Sequence, residues 1–573
     1  MKKENFLWLS TKIGLLSGVI GMFLCLIGMV KTFNERDVIE GIVTLGQFVL
    51  FATSAMAGFI ASIRTSNLLG KTQAGVNLSA GLVAGLVSGL LVTLMGVIGD
   101  KIDLRAVFLN ASSDLYEILF FKQGLAGAWI LPLLSAILGL AGASFLLLSE
   151  NIRRPVSRGL IALFLMSLFS NLFRVVLINQ GPAMGTFAKS LFSQTGLTIF
   201  GAIVFFGLVV IANIHWASKG ESYKARINQL PKNRQITLRV AVFALIAIIA
   251  LGLPQVSGPF IAQVIVIISL YILMGLGLNI TLGFAGLLDL GFVAFYAVGA
   301  YTVGLLTSYG PFGLQHIPFW VAVPIAVLVA MMFGAFLGLP VLGVRGDYLA
   351  IATMGFGEII RLLAGSDFLS PFFGGPQGVI GIQKPCIGTL GEFLKVDTPR
   401  ICNGIELGTP QDIYYIAIAS AIFIAFVAWR LRESRLGRAW MAIREDEDVA
   451  EALGVNLVQT KLLAYMLGAA FAGLGGAIFT VLIGSIFASS MQLIVSFNVV
   501  ALIIVGGMGS IPGVIVGAIL LIGLPELLRE VSEFRYLIYG FVLVIMMQLK
   551  PEGFWPSQAA RRELHHEDAT PAS

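Results

Sequence analysis

Few side chains in this sequence are spaced to do covalent chemistry. The run Gly70-Lys71-Thr72 resembles the end of a phosphate-binding loop. That loop needs a glycine five residues before Gly70, where Thr65 stands. No strand pattern precedes it, so it reads as a short connection between apolar blocks. The histidines His215, His316, His565 and His566 are scattered, and the adjacent pair lies in a polar C-terminal tail read as solvated. No nucleophile with its base and no ligand cluster emerges. The chain is expected to hold no ATPase, protease or metal site of its own and to bind no cofactor.

The most informative polar segment runs from Arg435 to Gly454. Glu445, Asp446, Glu447 and Asp448 suit the start of a helix, where the macrodipole favours negative charge. Val449, Ala450 and Leu453 are then expected on one face, and Gly454 is a natural terminator. Two readings stand on the residues alone. Either this is a surface helix that joins two apolar blocks, or it is a short amphipathic helix that seats in another protein's groove.

These residues must be positioned by a membrane-spanning body. Of 573 residues, 57% are hydrophobic and 12% charged, and the charge is too little to cover a water-facing surface. Apolar blocks fall at 13–30, 41–63, 74–98, 125–148, 159–178 and 195–216. They resume at 238–254, 260–282, 287–308, 319–342, 348–364, 412–430, 462–484, 492–507, 513–528 and 535–549. Blocks of this length cross a hydrocarbon layer, which gives about sixteen spans. Helix is the assignment that satisfies the backbone in lipid, so the fold class is an all-α polytopic membrane protein. The net charge of +6 sits in short loops between blocks, where it orients the chain in a lipid bilayer and calls for no nucleic acid. Arg64, Arg153, Arg154, Arg158, Arg345, Arg430, Arg432, Arg435, Arg438 and Arg444 belong to the richer set of loops. The positive-inside rule therefore puts both termini in the cytoplasm.

The basic stretch 217–237 divides six blocks, 1–216, from ten blocks, 238–556, and a polar tail follows at 557–573. Loop 365–411 faces outward and holds Cys386 and Cys402. They either form a disulfide there or remain two thiols, since spacing alone leaves both open. Cys25 lies in an apolar block as packing. The glycine-rich stretches 275–291 and 505–517 mark close helix crossings or a broken helix. Asn279, Gly283, Gly286, Gly506 and Gly507 are the candidates there, with Glu358 a further candidate along a translocation path. Glu358 and Arg361, three apart, are expected to pair. Asp289 and Asp347 read as caps or turns. Asn171 and Arg174 lie in an apolar block, with Arg174 snorkelling to the interface.

Residues 238–556 resemble the LivM-like permease subunit of branched-chain amino acid ABC importers. The resemblance is carried by Gly277-Leu278-Asn279-Ile280, Gly283-Phe284-Ala285-Gly286-Leu287-Leu288-Asp289-Leu290-Gly291 and Ala297-Val298-Gly299-Ala300-Tyr301. It continues through Arg345-Gly346-Asp347-Tyr348-Leu349-Ala350-Ile351, Gly357-Glu358-Ile359-Ile360-Arg361 and Gly374-Gly375-Pro376-Gln377-Gly378. It closes with Gly506-Gly507-Met508-Gly509-Ser510-Ile511-Pro512-Gly513 and Lys550-Pro551-Glu552-Gly553. Asp448 to Gly454 also resembles the coupling loop of ABC import permeases, with Asp in place of Glu and Val in place of the first Ala. The resemblance implies a bacterial plasma-membrane importer for branched-chain amino acids. It implies four partners: a second homologous permease, two ATPase subunits that use ATP and Mg, and a soluble substrate-binding protein. Within that class, permeases for urea or short amides share the pattern. An ion-coupled secondary transporter would want intramembrane carboxylates along a path, and the blocks offer few. Residues 1–216 fall outside the resemblance and have no assigned role.

Overall fold

A computed structural model describes residues 2–69, 73–229, 231–313, 317–341, 343, 346–387, 405–527, 534–550 and 552–556. Gly70-Lys71-Thr72, Arg345, Cys402 and the tail 557–573 lie outside the described residues. The architecture is all-α. Strands among the described residues form three two-stranded pairs outside the long helices. The chain divides into two compact units, Met1–Ile246 and Ala247–Ser573, and the division falls inside the helix Lys232–Leu278.

The first unit is built on α1 (Lys2–Leu26), α2 (Leu45–Leu69), α3 (Ala74–Lys101) and α4 (Ile130–Leu147). They pack through small residues, as lipid-embedded helices must when apolar side chains gain nothing by leaving lipid tails. Ser17 Oγ, for example, donates to the carbonyl of Thr53 at 2.9 Å. Next come α5 (Glu150–Leu168) and α6 (Ser170–Ile178), bent 63° from each other, and α7 (Ile199–Gln229). Asn171 and Arg174 both lie on α6 just past that bend.

The second unit starts within α8 (Lys232–Leu278), a helix interrupted at Gly258, which takes φ +83° between Pro254 and Pro259. A six-residue π-helical turn, Asn279–Phe284, ends it. The core helices follow: α9 (Val293–Thr307), α10 (Phe319–Val341), α11 (Asp347–Ala364), α12 (Pro410–Arg432), α13 (Arg435–Glu445), α14 (Glu447–Ala452) and α15 (Leu457–Ile483). The closing set is α16 (Leu493–Gly506), α17 (Ile511–Ala518) and α18 (Arg535–Leu549).

Among the described residues, ten helices are long and apolar enough to cross a membrane, or eleven if the bent pair α5–α6 is one span. Hydropathy had counted about sixteen blocks; the difference lies in merged, bent or short helices and in α11, whose 18 residues carry the charges of Asp347, Glu358 and Arg361. Blocks 238–254 and 260–282 share α8, and α9 has only 15 residues. The helices Ile511–Leu527 and Tyr539–Gln548 are likewise short. Glycine and proline divide or shorten these helices, and an apolar run cannot reveal where it stops being one straight rod.

Helix α15 is the spine of this unit and α9 lies directly on it. A side chain at Gly299 would place its Cβ 2.2 Å from the Gly473 carbonyl, and one at Gly476 would lie 2.0 Å from the carbonyl of Tyr296. The two backbones touch. Thr480 Oγ1 donates across the same contact to Ala300 O at 3.2 Å. Gly476→Ala should therefore force the helices apart and cost about 1–3 kcal/mol. Gly355→Ala on α11, with open space around it, should be neutral or stabilising by about 0.5–1 kcal/mol. Unfolding in detergent compares the two, and an equal loss for both would contradict this packing.

Candidate functional site

The π-helical turn is where α8 stops being a regular helix, and residues 285–292 then run without helix to α9. A freed backbone inside a membrane protein must find partners, and here the side chain of Asn279 supplies one. Asn279, buried, accepts from the N–H of Gly509 at 2.9 Å. Gly283 lies against this contact, where a Cβ would sit 2.1 Å from Asn279 Oδ1 and 2.8 Å from Gly509 N. Gly509 belongs to a second interruption, between α16 and α17. Gly507 adopts φ +120° there, and a Cβ on Gly506 would meet the Gly513 carbonyl at 2.0 Å. The buried end of α16 would leave carbonyls without partners. Phe554 N–H donates to Val505 O at 2.8 Å, and Trp555 N–H donates to Gly506 O at 2.9 Å. Thus Asn279, Gly283, Gly506 and Gly507, read from sequence as helix-break candidates, come together as two interruptions joined by one side-chain hydrogen bond.

The polar segment folds as two short helices. Ser434 caps α13 by accepting from Gly437 N at 3.2 Å. Asp446 is extended and caps α14, accepting from Asp448 N at 2.9 Å and Val449 N at 3.0 Å. Gly454 ends the segment with φ +88°, a conformation that glycine adopts without a Cβ penalty. The acidic start and glycine stop match the sequence expectation. The expected common face does not hold for all three apolar residues. Ala450 is buried, while Val449 and Leu453 are 54% and 77% exposed. Residues four apart stack on one side of a helix, whereas adjacent residues diverge by about 100°. Ala450 therefore packs inward, and Val449 and Leu453 form the outward pair.

Three side chains that sequence reasoning did not single out for this role hold the segment to the body. Trp440, fully buried, donates from Nε1 to the Thr460 carbonyl at 2.8 Å. Lys461 on α15 pairs with Glu447 at 2.7 Å, with the lysine side chain nearly buried. Arg444, at the end of α13, donates from Nη1 to the Gly283 carbonyl at 2.8 Å. It also lies over Gly286, where a Cβ would come within 3.1 Å of its Cγ. The polar segment and the broken helix are therefore in direct contact. Read from sequence, Arg444 was one of many loop arginines that orient a membrane protein, and nothing local marked it out.

On the expected outer side, the short strand Val379–Ile380 pairs antiparallel with Ser485–Ile486, just past the end of α15. Lys384 donates to the last carbonyls of α15, at Val481 and, at 3.4 Å, Leu482. Burial pulls this lysine below its ordinary pKa, opposed by the charge of Glu406. Trp320 Nε1 donates to Cys386 O at 2.9 Å. Cys386 is disulfide-bonded, Cys25 is a free buried thiol, and Cys402 lies outside the described residues. Glu358 meets Arg361 as a forked ion pair, with Nε 3.0 Å from each carboxylate oxygen. That contact is the structural pairing expected from their spacing. Asp289 forms a tight turn, accepting from Gly291 N at 2.9 Å. Nothing is described of the Asp347 side chain.

Residues 260–547 match the family described as "Branched-chain amino acid transport system / permease component". The high-affinity branched-chain amino acid transport system permease protein LivM of Escherichia coli K12 is 40% identical over 324 residues, which cover 54% of this chain and 74% of that protein. LivM of Salmonella typhimurium LT2 is 38% identical over 338 residues, 57% of this chain and 77% of that protein. The LivH permease of Escherichia coli K12 is 24% identical over 298 residues, 50% of this chain and 91% of that protein. No solved structure matches. With the matched stretch coinciding with the unit that holds both helix interruptions and the polar segment, the chain belongs to the family of branched-chain amino acid transport system permease components.

Proposed function

We propose that this chain is the permease subunit of an ABC importer in a bacterial plasma membrane, with both termini in the cytoplasm. It lines the path for branched-chain amino acids beside a second, homologous permease. Two ATPase subunits supply the energy from ATP and Mg, and a soluble binding protein delivers substrate to the outer face. The observation that carries this reading is the join between an exposed apolar pair and a broken membrane helix.

Val449 and Leu453 present a small apolar knob on a short helix, the shape that fits a groove on a partner. Movement of that knob is not absorbed by a slack loop. Trp440 and Lys461 fix the segment to α15, and Arg444 fixes it to Gly283. A shift of the docked helix is thereby passed to the π-helical turn, and through Asn279 to the loop before α17. Two irregular backbones linked in this way form a hinge that can take two arrangements, which is what alternating access requires. This chain supplies the path and the lever, and the partner ATPases do the chemistry.

Two measurements check this. Leu453→Asp should lower leucine uptake by about tenfold or more, since a charge in a docking pocket costs more than about 1.4 kcal/mol. The amount of chain in the membrane should be unchanged, and wild-type uptake by this variant would defeat the docking role. The purified chain should not hydrolyse ATP on its own, and robust hydrolysis without partners would contradict the permease reading.

A further inference from the structure

Asp289 has a second side that its turn does not explain. The residue is 1% exposed. Its Oδ1 accepts from Gly291 N, but its Oδ2 is buried and has no partner among the described residues. Tyr465, on α15 and 2% exposed, likewise buries a hydroxyl with no partner. Both residues line one small cavity of about 10 Å³, together with Phe295, Leu337, Thr353 and Phe356. Thr353 lies beside the carboxyl. Its hydroxyl has two acceptors in reach, this carboxyl and Ala350 O at 3.1 Å, and its oxygen accepts from Leu290 N at 3.1 Å.

A bare carboxylate oxygen in apolar surroundings is costly unless something positive or proton-donating meets it. Among the described residues, no lysine, arginine or histidine lines this niche. The described residues also bring no three His, Cys, Asp or Glu side chains together, so the niche offers one charge and a neutral phenol oxygen. That donor set suits a singly charged guest better than a divalent one. The volume is about that of one water molecule. Phe356 and Leu337 also wall a neighbouring apolar chamber of about 510 Å³, so a guest with a cationic head and an aliphatic remainder would have room for both.

We propose that Asp289 and Tyr465 form a binding site for a monovalent cationic head of about water size. Two sources share that chemistry: a free alkali-metal ion, and the ammonium group of an aliphatic amino acid. Asp289 Oδ2 supplies the counter-charge and Tyr465 Oη a second oxygen. The site joins the segment after the π-helical turn to α15, so its occupant would brace the same interruption that Arg444 grips at Gly283.

The test is thermal unfolding of the purified full chain in lipid nanodiscs. Sodium or potassium chloride is compared at equal ionic strength with N-methyl-D-glucamine chloride, whose cation is too large for the niche. Leucine is compared with 4-methylpentanoate, which keeps the aliphatic carboxylate and lacks the amine. The expected result is a rise in Tm of roughly 2–5 °C at saturation for at least one small cation or for leucine. A rise with sodium or potassium alone assigns the head to a metal ion, and a rise with leucine but not 4-methylpentanoate assigns it to ammonium. The rise should vanish in Asp289→Asn and shrink in Tyr465→Phe, which keeps the ring and serves if the first variant does not fold. No selective rise in the wild-type chain would overturn the proposal, as would an undiminished rise in either variant.

Discussion

Inside a lipid layer, a helix can be interrupted only if every backbone group it releases finds another partner. The second unit depends on how that constraint is met at two places. At the end of α8, the Gly283 carbonyl is taken by Arg444. At the end of α16, the Val505 and Gly506 carbonyls are taken by Phe554 and Trp555, and the Gly509 N–H by Asn279. None of these partners is local in sequence. The interruptions therefore cannot be rearranged one at a time. Satisfying one ties it to the other, to the polar segment and to the chain after α18.

This explains why a short polar segment can matter to a membrane body. Alone, α14 is too short to be a stable helix. It is held by its Asp446 cap, by burial of Ala450 and by the Lys461–Glu447 pair, and it leaves Val449 and Leu453 free to contact another surface. The anchoring is stiff because Trp440 is wholly buried and bonded. In the proposed importer, rigidity at that point lets a displacement outside the membrane become a displacement within it.

Much of this was legible in the sequence, for identifiable reasons. Long apolar blocks could become nothing but helices, and the caps at Asp446 and Gly454 follow from local chemistry. The Glu358–Arg361 pair follows from spacing on one helix face. The number of full spans was not legible, because hydropathy registers apolar length and is blind to the turn at Gly258 or to the 15-residue length of α9. The outward orientation of Val449 relative to Ala450 was implicit in helical geometry, yet three apolar residues within one short segment read as one stripe. Arg444 and Tyr465 were hidden for a different reason. Arg444 depends on a partner far along the chain, Gly283, and Tyr465 meets Asp289 only across a cavity that the fold closes, so no local pattern encodes either.

The hydrogen bond from Arg444 to Gly283 is where the account is most exposed. The decisive measurement is leucine uptake and ATP hydrolysis, made side by side on the assembled transporter carrying Arg444→Ala. The docking pair Val449 and Leu453 would be intact, so ATP hydrolysis should continue near the wild-type rate while uptake falls sharply. The ratio of substrate moved to ATP consumed would then collapse. If that ratio is unchanged, the polar segment does not act through the broken helix, and the lever described here is wrong.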